Sequence, residues 1–162
     1  MGNICVRPAV EADVPVILKF IRELAEYEKL LDQMVATEDS LRNWLFQQKK
    51  AEALMAEWDG QAVGYALFFH NFSTFLGRGG IYLEDLYVRP SARRKGIGRR
   101  LLRAVAAIAR ERRCGRLEWS CLNWNKPSIE FYLSLGAKPL DEWTIYRLTG
   151  EGIDRLAGST SE

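Results

Sequence analysis

Histidine is almost missing from this chain: His70 stands alone among 162 residues. Mechanisms that need a histidine pair, and metal sites built from several histidines, are therefore unsupported. His70 itself, at the end of an apolar strand, reads as structural. Cysteine is scarce as well. Cys5, Cys114 and Cys121 form no C-x-x-C pair, and their odd number leaves at least one thiol free. Each reads as a small buried hydrophobe. No apolar run is long enough to span a bilayer, and Met1-Gly2-Asn3-Ile4 does not open a signal peptide, so the expected compartment is the reducing cytoplasm. A large charge of either sign is also lacking. The 23 basic and 21 acidic side chains leave a net +2, which argues against a chain that coats nucleic acid or an anionic membrane.

What is present describes one soluble domain over residues 1–157, with 48% hydrophobic and 27% charged residues. Residues 158–162, Gly158-Ser159-Thr160-Ser161-Glu162, read as a loose tail. Ile4 to Arg7 reads as a strand stopped by Pro8. Asp13 reads as the cap of a helix with Pro15 in its first turn and Ile17, Ile21, Leu24 and Ala25 on its core face, running to about Tyr27. A second helix is expected from Thr37, with Glu38 and Asp39 against its dipole and Leu41, Trp44 and Leu45 within it. Strands over 51–58 and 62–69 flank the hairpin signal Asp59-Gly60. Gly77-Arg78-Gly79-Gly80 ends a loop before a strand from Ile81 to Val88. A long helix follows over about 98–112, ending in a solvated run at Arg110, Arg112 and Arg113. A strand over 117–122, a short helix over 127–135 closed by Gly136, and a last strand over 144–148 complete the chain. The sum is a mixed sheet with helices on its faces, an α/β or α+β fold.

The stretch richest in chemistry is the turn Arg93-Arg94-Lys95-Gly96-Ile97-Gly98, set between a strand and a long helix. Two glycines at this spacing let several backbone N–H groups point into one concavity at a helix N-terminus, a nest for phosphate oxygens. Arg93, Arg94, Lys95, Arg99 and Arg100 surround it with cations, which suits a ligand with several phosphates. A dinucleotide fingerprint wants a third glycine where Leu101 stands, a P-loop wants Gly-Lys-Ser or Gly-Lys-Thr, and a kinase glycine loop joins two strands. None of these fits.

Arg-x-x-Gly-x-Gly over Arg93–Gly98, after Tyr82-Leu83-Glu84-Asp85-Leu86-Tyr87-Val88, resembles the acetyl-CoA motif of the GNAT acetyltransferase superfamily. Asn123-Trp124-Asn125-Lys126-Pro127-Ser128, then Phe131-Tyr132 and Leu135-Gly136-Ala137, resembles that family's second cofactor segment. The resemblance covers nearly the whole chain. It implies a mainly antiparallel sheet with helices on both faces, whose splayed central strands hold acetyl-CoA, and no metal. Within the superfamily, Glu23-Leu24-Ala25-Glu26-Tyr27-Glu28, Tyr82 to Asp85 and Trp124 to Tyr132 most resemble the spermidine/spermine N-acetyltransferase group, with its diamine- and thialysine-acetylating members. That implies a homodimer acting on a small primary amine. Phe72-Ser73-Thr74-Phe75 is closer to the thialysine-type members, since the spermidine enzymes carry an acid where Ser73 stands.

The resemblance also assigns roles. Tyr27, Glu28, Ser73, Glu84 and Asp85 would bind the acceptor. Glu84 would take the proton of an alkylammonium whose pKa is about 10.4, directly or through water; read alone, it is a surface carboxylate balancing Arg78 or Arg89. Tyr132 would be the general acid for the departing thiolate, although Phe131-Tyr132 on a short helix otherwise means packing. The backbone of Leu86, Tyr87 and Val88 would pair with the pantetheine arm as an added strand, and the Leu86 N–H could polarise the thioester carbonyl. Ile97, Arg99, Pro127 and Ser128 join the cofactor set. Asn125 could reach the arm with its amide or cap the helix that follows. Two other readings stand beside this one. The same chemistry could act on a protein N-terminus or lysine. Alternatively, the arginine-rich stretch from Arg93 to Arg113 could belong to a nucleic-acid-binding module, against which stand the near-neutral charge and the lack of interleaved aromatics.

Overall fold

The structure, a computed structural model, describes residues 2–158; Met1 and Ser159 to Glu162, most of the predicted tail, lie outside the described residues. The chain divides into two compact units, one running to Leu122 and the other beginning at Asn123. Among the described residues no helix is long and apolar enough to cross a membrane.

The first unit is a five-stranded sheet in the order β1-β2-β3-β4-β5: Ile4–Pro8, Glu52–Trp58, Gln61–Ser73, Arg78–Val88 and Leu117–Trp119. Neighbours are antiparallel except β4 and β5, which run parallel. Asp59-Gly60 forms the expected tight turn, with Asp59 at φ 51° and Gly60 at φ 80°. Period-two alternation sorts the strand residues between two helices. Ala53, Met55, Tyr65 and Tyr87 pack with Ile17, Phe20 and Leu45 beneath α1 (Val14–Tyr27). Leu54, Ala56, Ala66 and Phe68 alternate with them, toward the face where α3 (Ile97–Glu111) buries Leu101 and Val105.

Several expectations need correcting. Asp13 does not cap α1 with its side chain. Arg7 donates to both of its carboxylate oxygens, at 2.8 and 2.9 Å, and Val10 N–H donates to one of them, so Asp13 joins β1 to the helix start instead. Arg7 and Val10 hold its pKa below the ordinary carboxylate range, although its burial works the other way. The second helix does begin at Thr37, whose hydroxyl accepts from Ser40 N–H, but α2 covers only Glu38–Leu41 before the chain widens into a π-helical turn over Arg42–Gln47. β4 starts at Arg78, so Gly79 and Gly80 are strand residues. Arg112 is not merely solvated: it forms a bidentate pair with Glu52 at 2.6 and 2.7 Å and lies 2.9 Å from His70 Nε2. His70 Nδ1 lies 3.1 Å from the Gly80 carbonyl, which can only accept, so that nitrogen carries the proton and Nε2 accepts from Arg112. The structural reading of His70 holds.

The second unit holds α4 (Lys126–Ser134) and α5 (Gly150–Ala157). Asn125 caps α4, accepting from Ser128 N–H at 3.4 Å. The strand expected over 144–148 is absent: Ile145, Tyr146 and Leu148 are exposed and the segment has no regular structure. Its Thr-Ile-Tyr composition favours a strand, but a strand is stable only with hydrogen-bonding partners.

Candidate active site

β5 pairs with β4 only over Ile81–Leu83, against Leu117–Trp119, and so ends three residues short of the expected strand 117–122. Tyr82 Oη and Ser120 Oγ, 2.6 Å apart, still tie β4 to the segment after β5 where regular pairing stops. Beyond that point, no strand among the described residues lies along this edge of Glu84–Val88. The edge of β4 past Leu83 is therefore open among the described residues, and β4 runs from it directly into the Arg93–Gly98 turn.

That turn has the form a phosphate nest requires. Arg94, at φ 63°, and Gly96, at φ 77°, are left-handed, and Gly96 occupies the cap position of α3 without any side-chain cap. The first intrahelical bond runs from Arg100 N–H to the Gly96 carbonyl at 3.0 Å; the amides of the first turn precede it and converge at the positive end of the dipole. The cations are less uniformly gathered than the sequence suggests. Arg93 Nε donates to the Val88 carbonyl at 3.0 Å, and its guanidinium lies over the Tyr27 ring at 5.1 Å. Lys95 Nζ sits 3.8 Å from the Trp58 ring centroid. Arg100 turns to the Ile4 carbonyl, and Arg94 and Arg99 are both exposed. Gly64 makes the approach to this segment possible. It pairs with Val88, and a Cβ at 64 would stand 2.5 Å from the Tyr87 carbonyl oxygen.

The second feature was not legible in the sequence. Leu67 pairs with Asp85 and Phe68 with Leu83, so Glu84 is an extra residue in β4, a bulge. The insertion resets the alternation. Leu83 shares a face with Phe68, toward α3, whereas Asp85 shares the α1 face with Leu67, Tyr65 and Tyr87. Glu84 is exposed beside it. The end of α1 completes the cluster. Burial, then Asp85 and Glu84, raise the Glu28 carboxyl above its usual value. Asp85 is raised by burial and by Glu84, against a hydrogen bond from the Tyr65 hydroxyl that lowers it. Burial and Glu28 raise the Cys121 thiol, which places the residues just past β5 at the same mouth.

Glu28, Glu84 and Asp85 therefore gather like charge, and Glu28 does so at a helix C-terminus, where a carboxylate opposes the dipole. Among the described residues Glu84 forms no salt bridge. Arg89, the partner offered by the bland reading, is committed to Glu23 at 3.2 Å. Nor do the described residues gather three metal-ligating side chains closely enough to hold an ion. Such a gathering of like charge is costly to the fold until a cation offsets it. Because the folded Glu28 titrates above its unfolded value, its ionisation costs stability as pH rises, and the full cost is present above the folded value. Glu28→Gln is therefore expected to raise Tm by about 2 °C near pH 8 and leave it unchanged near pH 4, where the carboxyl is largely neutral folded or unfolded. Scanning calorimetry at both pH values checks this; no gain near pH 8 contradicts it.

Other assigned residues fall elsewhere. Tyr27 lines a groove of about 590 Å³ with Glu23, Arg89, Ser91 and Arg93, next to the nest rather than the acids. Tyr87 donates to Glu23 at 2.6 Å from the core. Ser73 is not brought to the acids: it lies six residues along β3 from Leu67, about 20 Å at strand rise. Its hydroxyl is buried and accepts from Leu76 N–H. In the second unit Tyr132 is half-buried on α4 against Phe131, with ring centroids 5.6 Å apart. Pro127 stands in the first turn of α4 and Asn125 is buried at its cap.

An open strand edge beside an uncapped, glycine-opened helix start is a form that acyl-CoA-dependent transferases share. Comparison with known proteins makes it particular. The Acetyltransferase (GNAT) family profile matches residues 18–137. Thialysine N-epsilon-acetyltransferase of Sus scrofa is 41% identical over 170 residues, covering 98% of this chain and 99% of that protein. L-ornithine N5-acetyltransferase of Arabidopsis thaliana is 30% identical, covering 93% and 86%. Among solved structures, an integron cassette protein from V. cholerae superposes with a TM-score of 0.80 at 28% identity, over 96% of this chain and 98% of that one. The chain belongs to the GNAT acetyltransferase family, and it is an acetyltransferase. Members of this family use acetyl-CoA.

Proposed function

We propose that this chain transfers the acetyl group of acetyl-CoA to the primary amine of a small cationic acceptor: a polyamine, a diamine or a lysine-like amino acid such as thialysine. The observation that carries the reading is the cluster of Glu28, Glu84 and Asp85 where β4 passes the end of β5. The named activities of the relatives from Sus scrofa and Arabidopsis thaliana support it, since thialysine and ornithine both carry a side-chain ammonium.

The nest at Gly96–Gly98 fits a diphosphate, because its left-handed glycine and uncapped first turn offer amide donors and little else. Ile97, Arg93, Arg94, Lys95 and Arg99 frame that site, while Leu86, Tyr87 and Val88 supply backbone for the pantetheine arm; Asn125, Pro127 and Ser128 complete the cofactor set. Acetyl-CoA supplies an activated acyl group, and the chain's own residues manage protons. Only about one alkylammonium in a thousand is neutral at pH 7, so the acids first hold the cation and Glu84 then receives its proton, directly or through water. The Leu86 N–H polarises the carbonyl under attack, and Tyr132 returns a proton to the departing sulfur. Tyr27 borders this path from the side of the nest, whereas Ser73 lies too far along β3 to line it. Residues 1–157 act as one catalytic domain, because the family match draws on both compact units. Free thiols at Cys5, Cys114 and Cys121 suit a cytoplasmic setting. Exposed Trp143, Ile145, Tyr146 and Leu156 in the second unit are the apolar surface a homodimer would cover.

The test is an acceptor screen with acetyl-CoA and thiol detection, covering diamines, polyamines, lysine, thialysine and peptides. Turnover with small di-cationic amines is expected. Turnover with peptides alone would move the acceptor to a protein and overturn the small-amine reading.

A further inference from the structure

Tyr65 has no place in the mechanism above, and its side chain is unusual. It is fully buried in the apolar cluster with Phe20 and Met55, stacked on Phe20 with ring centroids 5.8 Å apart. A phenol in such a place needs a partner. Its hydroxyl donates to Asp85 Oδ2, across the β3–β4 pair and two residues along from Tyr87, its own neighbour in register. Diagonal neighbours on one sheet face are within reach of an aromatic side chain. Here the register is unbroken from Tyr65↔Tyr87 to Leu67↔Asp85, so Asp85 shares the α1 face with Tyr65. The bulge at Glu84 lies just past this pair and turns Leu83, not Asp85, to the other face.

We propose that Tyr65 is a positioning residue for the acceptor: from inside the core its hydroxyl fixes one oxygen of Asp85, leaving the other turned to pair with the acceptor's ammonium beside Glu28 and Glu84. The inference rests on the reading of these acids as the amine site. A carboxylate beside a bulge has several rotamers open to it, and anchoring one oxygen removes that freedom before the acceptor arrives. The phenol is suited to the task. Burial, then the neighbouring Asp85, raise its pKa well above the usual value, so it keeps its proton and remains a donor. The groups facing Asp85 are Tyr65 from β3, Glu84 from β4 itself, Glu28 from the end of α1 and, beyond Glu28, Cys121 after β5. Only Tyr65 favours the ionised form; Glu84 opposes it, and Glu28 adds like charge nearby. Removing the hydroxyl should therefore let Asp85 take up a proton at higher pH.

Tyr65→Phe keeps the ring and the stack on Phe20. The expected result is a rise of about tenfold in acceptor KM, with kcat and the KM for acetyl-CoA little changed. The acid limb of acceptor kcat/KM should move to higher pH. Asp85→Asn should raise acceptor KM as well, and Tyr65→Phe added to it should do nothing further. Asp85→Glu, which keeps the charge but displaces it from the phenol, guards against a Tyr65 variant that fails to fold and should show the same rise. A Tyr65→Phe enzyme with lowered Tm but unaltered acceptor KM and acid limb would overturn the proposal while leaving the acetyltransferase reading standing. So would an unaltered KM in Asp85→Glu. A wild-type chain that acetylates no small amine would instead reject the reading of the site, and the role of Tyr65 with it.

Discussion

Tyr132→Phe is expected to lower kcat by about 100-fold while CoA binds as tightly as to the wild type. The substitution removes one hydroxyl and keeps the ring. Its packing against Phe131 survives, as does the end of α4, where the Tyr132 carbonyl accepts from Leu135 N–H at 3.1 Å and Ala137 N–H at 3.3 Å. On the proposed mechanism what is lost is a proton donor for the leaving thiolate, and general acid catalysis contributes on the order of 10²–10⁴-fold. The loss should therefore fall on turnover, and both KM values should stay close to wild type. Steady-state kinetics beside a CoA titration separates these outcomes. An unchanged kcat would mean that the sulfur departs without help from this residue.

The second large effect concerns Gly98. A Cβ at this position would meet only Val88 Cγ2, at 3.8 Å, an ordinary contact, so the fold tolerates a side chain there. Gly96 differs: nothing lies near its Cβ, but its φ of 77° makes any other residue strained. Gly98→Val thus isolates ligand approach from folding better than a change at Gly96. It is expected to weaken CoA binding by about 100-fold or more, with Tm shifted by no more than about 3 °C. A branched side chain in the first turn would stand where phosphate oxygens must reach the amides. Full CoA affinity in this variant would place the diphosphate elsewhere.

These two effects also mark what could be read without coordinates. The nest was legible because Arg93 to Gly98 encodes it locally: two glycines, a strand before and a helix after. Tyr132 and the other family positions came from the resemblance, not from any physical signal of their own. The bulge was not legible, since nothing in Tyr82-Leu83-Glu84-Asp85 says that Glu84 will lack a partner; that depends on the register with Leu67 and Phe68. For the same reason Tyr65 reads as an ordinary strand tyrosine until its neighbour across the pair is known. Asp13 shows a further limit: it carries the local signature of a cap, but Arg7 offers two charged donors and wins. The segment 144–148 has strand composition without a pairing partner, while Gly150 and Gly152 hide the short helix α5.

One measurement bears most directly on the whole account, which depends on a helix start and its arginines holding linked phosphates. Calorimetric titration of the wild-type chain with CoA, at low and at high salt, should give a dissociation constant tighter than about 1 mM that weakens as salt is added. Absence of any heat of binding at millimolar CoA would contradict it.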